Sequence, residues 1–300
     1  MNKWISALVF VLFLFLFITF ISVFFINSND VTSDSIVVVP LYGVISSSED
    51  SSIFQGSSSI SSINTVKKIK ELNDNKFVKG VIFEIDSPGG EVVASEEIAE
   101  AVKSLNKPKY AVIRSTGASG GYWIASATDK IYASKMSITG SIGVIGSYLE
   151  FSGLMEKYGI GYERFVGGVY KDLGSPFKQS TDSEELLYQG KIDKIYDYFV
   201  HQVAENRKMN VDEIKKIATG EFYLGIEAKD LNLIDEFGGR EEAVNAMKIQ
   251  LNSSNIEVVE TKKQTSFFEL LSGLGAYNFG RGFAYEITKL ESQNKYSFNV

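Results

Sequence analysis

Twice in succession this chain runs an apolar strand into a glycine pair and then into a helix, and that repeat constrains the fold more than any other feature. The first unit is Val78-Lys79-Gly80-Val81-Ile82-Phe83-Glu84-Ile85-Asp86, then Ser87-Pro88-Gly89-Gly90 and a helix from Glu91 to about Leu105. The second is the apolar run Tyr110-Ala111-Val112-Ile113, then Ser115-Thr116-Gly117-Ala118-Ser119-Gly120-Gly121 and the segment Tyr122-Trp123-Ile124-Ala125-Ser126-Ala127. The run reads as a buried strand and the segment as a short buried helix. Two such units in sequence predict a stacked α/β architecture with mostly parallel strands.

Ser119 stands between glycines at the second turn. Glycine lets the backbone close where a Cβ would obstruct it. The start of the helix leaves N–H groups free to face negative charge. The Ser119 hydroxyl is thereby presented at the turn rather than packed into the core. This is the logic of a nucleophile elbow, although the glycine spacing is not that of G-x-S-x-G. Close packing of helix on strand produces the same small-residue pattern, so the segment alone leaves both readings open. Gly89-Gly90 likewise fits either an ordinary turn or a backbone donor that approaches a substrate closely.

Composition limits the chemistry. With 300 residues, 44% of them hydrophobic, the chain can build one large domain or two small ones. A net charge of -7 argues against nucleic acid as the main partner. The absence of cysteine removes disulfides, thiolate metal sites and a cysteine nucleophile together. The single histidine, His201, lies in the run Ile192–Val203, whose apolar spacing is helical. A Ser-His-Asp triad or a histidine-containing metal site would have to use it. A partly exposed helix residue is a poor candidate for either. A serine nucleophile here is therefore expected to take its base from lysine or a carboxylate, with no metal and no cofactor.

Three segments follow from the patterning. Residues 1–34 read as a cytoplasmic start, a transmembrane helix and a linker. The stretch from Trp4 to Ile26 is apolar apart from Ser6, Thr19 and Ser22, long enough to span a hydrocarbon core. Lys3 before it and Asp30 and Asp34 after it predict a cytoplasmic N-terminus and an extracytoplasmic remainder, a single-pass cell-membrane topology. Residues 35–251 read as the main domain. It opens with one long strand or a strand pair over Ser35–Ile45. A serine-rich loop over Ser46–Ser62 follows. Beyond the two glycine units, Thr139–Gly146 and Tyr162–Val166 are predicted strands and Phe151–Tyr158 a helix. Gly167–Phe177 is a loop with one lysine, Lys171. A long helix over Thr181–Arg207 opens with a capping box from Thr181 to Glu184. Shorter helices are expected near Val211–Ala218, Gly225–Leu231 and Glu241–Leu251. Residues 252–300 form a strand and a tail rich in Phe, Tyr and Gly, with no sign of chemistry.

Four motifs stand in order: Gly89-Gly90, Gly117-Ala118-Ser119-Gly120-Gly121-Tyr122, Thr139-Gly140-Ser141-Ile142-Gly143-Val144 and Tyr170-Lys171-Asp172 with Ser175-Pro176-Phe177. With the apolar segment before them, the chain resembles the signal peptide peptidase A family of membrane-bound serine peptidases, in its short, single-domain form, from about Ser35 to Ala246. The resemblance implies a crotonase/Clp-protease-like fold of stacked β-β-α units. It implies Ser119 as nucleophile and Lys171 as general base. Backbone N–H groups at Gly89 or Gly90 and at Gly120 would form the oxyanion hole, and Ser141 would orient the lysine. It implies signal peptides and other unfolded membrane-proximal peptides as substrates. It also implies a homo-oligomer in which one subunit's lysine serves a neighbour's serine. Where the family usually carries Ser-Gly before the lysine, this chain has Gly167-Gly168-Val169-Tyr170. The alternatives are a related membrane serine peptidase that works beside a stomatin partner, a crotonase-type enzyme acting on acyl-coenzyme A, and a catalytically silent scaffold.

A Ser-Lys dyad sets a condition. Lysine at its reference pKa of about 10.4 is protonated at neutral pH and accepts no proton. Burial away from water and carboxylates can lower that value by roughly 3–5 pH units. Asp172, next to Lys171, would oppose this if its carboxylate reached the ammonium, so it is expected to point elsewhere.

Overall fold

The computed structural model describes residues 10–19, 31–48 and 59–261. The chain divides into two compact units, residues 1–30 with 261–300, and residues 31–260. In the first unit, residues 10–19 are helical. Among the described residues no helix is long and apolar enough to cross a membrane. The rest of the Trp4–Ile26 run, most of the serine-rich loop and the tail from Thr265 lie outside the described residues.

Among its described residues the second unit carries ten strands in chain order: β1 (Ser35–Tyr42), β2 (Val44–Ser46), β3 (Ser59–Ser61), β4 (Val78–Ser87), β5 (Lys109–Ala118), β6 (Lys130–Ala133), β7 (Ile138–Gly140), β8 (Phe222–Leu224), β9 (Glu236–Phe237) and β10 (Glu257–Glu260). Its helices are α1 (Ser62–Asp74), α2 (Val92–Ser104), α3 (Gly120–Ser126), α4 (Ser152–Lys157), α5 (Asp182–Arg207), α6 (Val211–Ile217), α7 (Gly225–Asp230) and α8 (Arg240–Gln250). The central sheet runs β10-β1-β4-β5-β6-β9, every neighbouring pair parallel. β7 pairs with the end of β5, and β8 closes antiparallel on β7. Short β2 and β3 form a separate parallel pair. The result is a mixed α/β domain around one largely parallel sheet, as the strand–glycine–helix repeat predicts.

Strand alternation sorts the core into two. Val37, Val39, Leu41, Val81, Phe83, Ile85, Ala111 and Ile113 point to one face, where they pack with residues of α1, α2, α3 and α5. Ile36, Val38, Ile82, Tyr110, Val112 and Tyr132 point to the other, where Ala243 and Met247 of α8 meet them. Both faces of β4 and β5 are therefore covered along much of their length, which is why these strands read as continuous apolar runs.

On the α8 face the sheet also holds a buried carboxylate. Glu84 accepts hydrogen bonds from Tyr42 Oη and Arg240 Nε, and Arg114 Nη1 lies 3.4 Å from it. Burial alone would raise its pKa; the Arg240 and Tyr42 bonds reverse this and hold it below the usual carboxylate value. Arg240 also reaches Glu260 at 2.7 Å, tying β10 to α8. Beside this cluster the face opens into a cleft of about 1150 Å³, bordered by Arg114, Lys135, Met136 and Phe237.

Two predicted strands differ from the structure. Thr139–Gly146 is a strand only as far as Gly140, and residues 141–150 run without regular structure. Their partner strand β5 ends at Ala118, opposite Gly140, so no ladder remains. Ser141, at φ 49°, then turns the chain off the sheet. Residues 162–166 form no strand and are exposed, and among the described residues no neighbouring strand supplies hydrogen bonds.

The capping box at α5 is present as expected: Thr181 Oγ1 accepts from the Glu184 N–H, and Glu184 accepts from the Thr181 N–H. α5 then buries Phe199, Val200 and Val203, while His201 faces solvent. Phe199 stacks on Trp123 of α3 with ring centroids 4.7 Å apart, and Asn206 Nδ2 donates to Ser126 Oγ at 3.1 Å. From the other side Tyr122 Oη donates to the Leu233 carbonyl at 2.9 Å. The seven-residue α3 is too short to hold itself and depends on these contacts. Phe199→Ala is expected to lower stability by about 3–5 kcal/mol, the usual cost of emptying a buried aromatic site. Urea unfolding with an unchanged m-value would check it.

Candidate active site

Ser119 sits where β5 ends and α3 begins, with φ 52° and ψ −122°. A non-glycine residue rarely adopts this conformation, and holding it costs about 1–3 kcal/mol. The surroundings fix it from both sides. The Ser119 N–H donates to the Gly140 carbonyl at 2.8 Å, and the Trp123 N–H donates to the Ser119 carbonyl at 2.9 Å. The side chain is half-buried and caps nothing in its own helix. Its hydroxyl is thus left at the turn, as the glycine pattern predicts.

Gly89 faces this turn. A Cβ on Gly89 would lie 2.8 Å from both the Gly120 nitrogen and Ser119 Cβ, and its φ of +99° suits glycine alone. Gly90 admits the chain from the opposite side. A Cβ there would meet the Ile45 carbonyl oxygen at 2.0 Å. In its absence β2 docks on the glycine loop, with Ile45 N–H to Gly89 O at 3.0 Å and Glu91 N–H to Ile45 O at 2.9 Å. Gly120 heads α3, so its N–H has no acceptor inside the helix. The structure therefore brings Ser119, Gly89, Gly90 and Gly120 together. Ser141 closes the β7 side: its N–H bonds the Glu221 carbonyl at 2.8 Å and its hydroxyl the Gly220 carbonyl at 3.3 Å.

Lys171 stands apart. It is exposed, and among the described residues no hydrogen bond joins it to Ser119. The burial a dyad lysine needs is not supplied by its own chain, because the Gly167–Phe177 loop carries it outward. Asp172 behaves as expected. Its carboxylate turns to Arg164, with Nε to Oδ2 at 2.5 Å and Nη2 to Oδ1 at 2.7 Å. Those bonds hold the Asp172 carboxyl down at about 2.

A hydroxyl on a strained turn beneath a glycine loop suits attack on a carbonyl, and comparison with known proteins identifies the chemistry. Residues 101–254, a little over half of the chain, match the family described as peptidase family S49. The chain belongs to peptidase family S49. It is a serine peptidase. This S49 chain is 35% identical to an Enterococcus faecium protein named "Putative signal peptide peptidase SppA", across 84% of this chain and 76% of that one. It is 39% identical to a Methanocaldococcus jannaschii protein named "Putative protease MJ0651", across 76% and 75%. It is 32% identical to the chloroplastic serine protease SPPA of Arabidopsis thaliana, across 82% of this chain and 37% of that protein. The matched S49 segment contains Ser119, Gly120, Ser141 and Lys171, and begins after Gly89-Gly90.

Sequence reasoning passed over two contributors. Ser87 is buried, and its hydroxyl accepts the Gly89 N–H at 3.1 Å. This is a serine turn closing two residues on, and Ser87-Pro88-Gly89 carries its signature. Arg164 is joined to Asp172 across an irregular segment, and no periodicity marks such a pair.

Two outcomes test the geometry. Gly90→Ala is expected to push β2 off the glycine loop and lower kcat/KM on a peptide roughly a hundredfold, the scale of a 1 Å misplacement; a retained urea midpoint would separate this from unfolding. The Asp172 carboxyl, followed by NMR, is expected to titrate at about 2. Because its folded value is depressed, the stabilisation it supplies is complete above about 4, the unfolded value. That stabilisation is lost as pH falls from there through the folded value.

Proposed function

We propose that this chain is a membrane-anchored Ser-Lys endopeptidase that degrades cleaved signal peptides and other unfolded peptides at the membrane surface. The observation that carries the reading is Ser119 held at φ 52°, ψ −122° under Gly89, with the start of α3 beside it. In this reading Ser119 Oγ attacks the scissile carbonyl while neutral Lys171 accepts its proton. The lysinium then returns that proton to the leaving amine. The oxyanion lies against the amides of Gly120 and of Gly89 or Gly90, worth about 3 kcal/mol per donor. Ser141, at the end of β7, orients the lysine. The fold is of the crotonase/Clp-protease type.

Lys171 is taken to serve the Ser119 of a neighbouring copy in a homo-oligomer. Its exposure in the single chain supports this, as do the exposed apolar side chains around it: Ile145, Leu149, Phe165 and Val169 are 87%, 72%, 90% and 71% exposed. Such a surface marks an interaction site, and a second copy would cover it and dry the lysine. The apolar run from Trp4 to Ile26, with Lys3 ahead of it, supports a single-pass anchor with the N-terminus in the cytoplasm and the peptidase domain outside. Signal peptides as substrates rest on the name of the Enterococcus faecium relative. Family membership does not favour an acyl-coenzyme A enzyme or a stomatin-partner peptidase.

Ser119→Ala and Lys171→Ala are each expected to abolish cleavage of an unfolded fluorogenic peptide and labelling by a fluorophosphonate. Either variant cleaving at the normal rate sinks the dyad. Mixed during assembly in equal amounts, the two inactive chains are expected to recover about a quarter of the activity, since a ring of head-to-tail contacts pairs an intact serine with a neighbour's intact lysine in that share of its sites. No recovery would place serine and lysine in the same chain.

A further inference from the structure

Just before the loop that carries Lys171 stands a second basic residue whose role no motif assigns. Arg164 lies eight positions before Asp172 and grips it with two nitrogens on two oxygens, 2.5 and 2.7 Å apart. The same guanidinium donates to the Val169 carbonyl at 3.3 Å, two residues before the lysine. Lys171 N–H bonds back to the Gly168 carbonyl at 3.1 Å. One arginine thus brackets Lys171, holding the chain on one side of it and the adjacent carboxylate on the other.

We propose that Arg164 is a positioning residue for the Lys171 base: by occupying both oxygens of Asp172 it keeps that carboxylate from pairing with the neighbouring ammonium. The inference rests on Lys171 being the general base. Its physical content is electrostatic. A carboxylate adjacent in sequence is the group best placed to hold a lysine protonated, and an ammonium paired with it accepts no proton. Arg164 removes that partner, and the neutralised pair leaves no net negative charge beside the lysine, which favours its neutral form. Arginine suits the task better than lysine, because its planar fork matches a carboxylate with two parallel bonds.

The other charges around the pair fit this arrangement. Tyr162, Lys178 and Glu184 face Arg164 and Asp172 from neighbouring segments. Glu184, buried at the start of α5, is itself taken by Lys178 at 2.7 Å to each oxygen. Asp172 and Glu184 are therefore each paired with a cation other than Lys171. Among the described residues no carboxylate lies within ion-pair distance of Lys171. Asp172 itself, held at about 2, is ionised at every pH where a peptidase would be assayed. It would be a full negative charge beside the lysine if it were released.

The test is the pH dependence of kcat/KM in the full-length chain, assayed with an unfolded fluorogenic peptide. On its acidic limb activity rises with pH as the base loses its proton. Arg164→Gln is expected to move the midpoint of that limb upward by about one pH unit, the lower end of the effect of one adjacent charge. On the limb that is about a tenfold loss at fixed pH, recovered at higher pH. Adding Asp172→Asn to Arg164→Gln is expected to bring the midpoint back, since no charge is then released. A uniform loss at all pH values, with the midpoint unmoved, would mean that Arg164 only shapes the loop and would overturn the inference. So would a shifted midpoint that the double variant fails to restore. Lys171→Ala assayed alongside separates the two levels: if it keeps its activity the dyad itself is wrong, whereas an inactive Lys171→Ala with an unmoved Arg164→Gln midpoint sinks only the role of Arg164.

Discussion

The parallel ladder between β4 and β5 is the constraint on which the site depends. Parallel pairing sends both strands out of the sheet at the same end, so the turns that follow them meet there. Ser87 lies opposite Gly117, after an irregularity that separates it from the register of Ile85 and Ile113. From that height one chain turns through Gly89-Gly90 and the other through Ser119-Gly120. A hydrogen-bonded sheet thereby fixes the distance between a hydroxyl and the backbone amides opposite it. The strain at Ser119 is tolerable because neither flank can relax: β7 holds its N–H, and α3, wedged by Phe199, Asn206 and Leu233, holds its carbonyl.

Much of this was legible in the sequence, and for a physical reason. Strand, glycine turn and helix are local features, written in residues a few positions apart. The parallel sheet, the placement of Ser119, the capping box at Thr181 and the exposed helical setting of His201 all followed from local pattern. The two misread strands had adequate local pattern as well. Whether β-branched residues form a strand depends on a partner, and β5 stops where residues 141–146 would need it. Residues 162–166 carry β-prone side chains such as Tyr162, Phe165 and Val166, but among the described residues no strand lies beside them. The Arg164–Asp172 pair is a contact made through irregular chain, so nothing in spacing could announce it. Ser87 could have been found, since a serine two residues before a glycine across a proline is a turn with a known hydrogen bond.

Charge is distributed in keeping with this division between sheet and loop. Within the sheet domain, buried and half-buried charges are held by several partners at once. Glu84 collects Tyr42, Arg114 and Arg240. Asp235 takes two bonds from Arg207, both at 2.9 Å, and one from the Ile131 N–H at 2.7 Å. Burial pushes the Asp235 carboxyl up and Arg207 pulls it down further, so it stays charged. Removing one member of such a set strands another in a poorly solvated place. Beside Lys171 one pair, Arg164–Asp172, takes up the nearest carboxylate, and among the described residues the lysine has no anion within ion-pair distance.

The two sides of the sheet are unequally clad. Among the described residues six helices contribute to the core on one side, while on the other α8 reaches in with only Ala243 and Met247 fully covered, and the Glu84 cluster and an open cleft occupy the remainder. α8 nevertheless matters to that side, because it covers Ile36, Val38, Ile82, Tyr110, Val112 and Tyr132, a second and smaller core. The Ser119 turn leads into α3, whose Tyr122, Trp123 and Ile124 belong to the thickly covered side. The improbable backbone angle at Ser119 is thus held from the side of the sheet where the larger core packs.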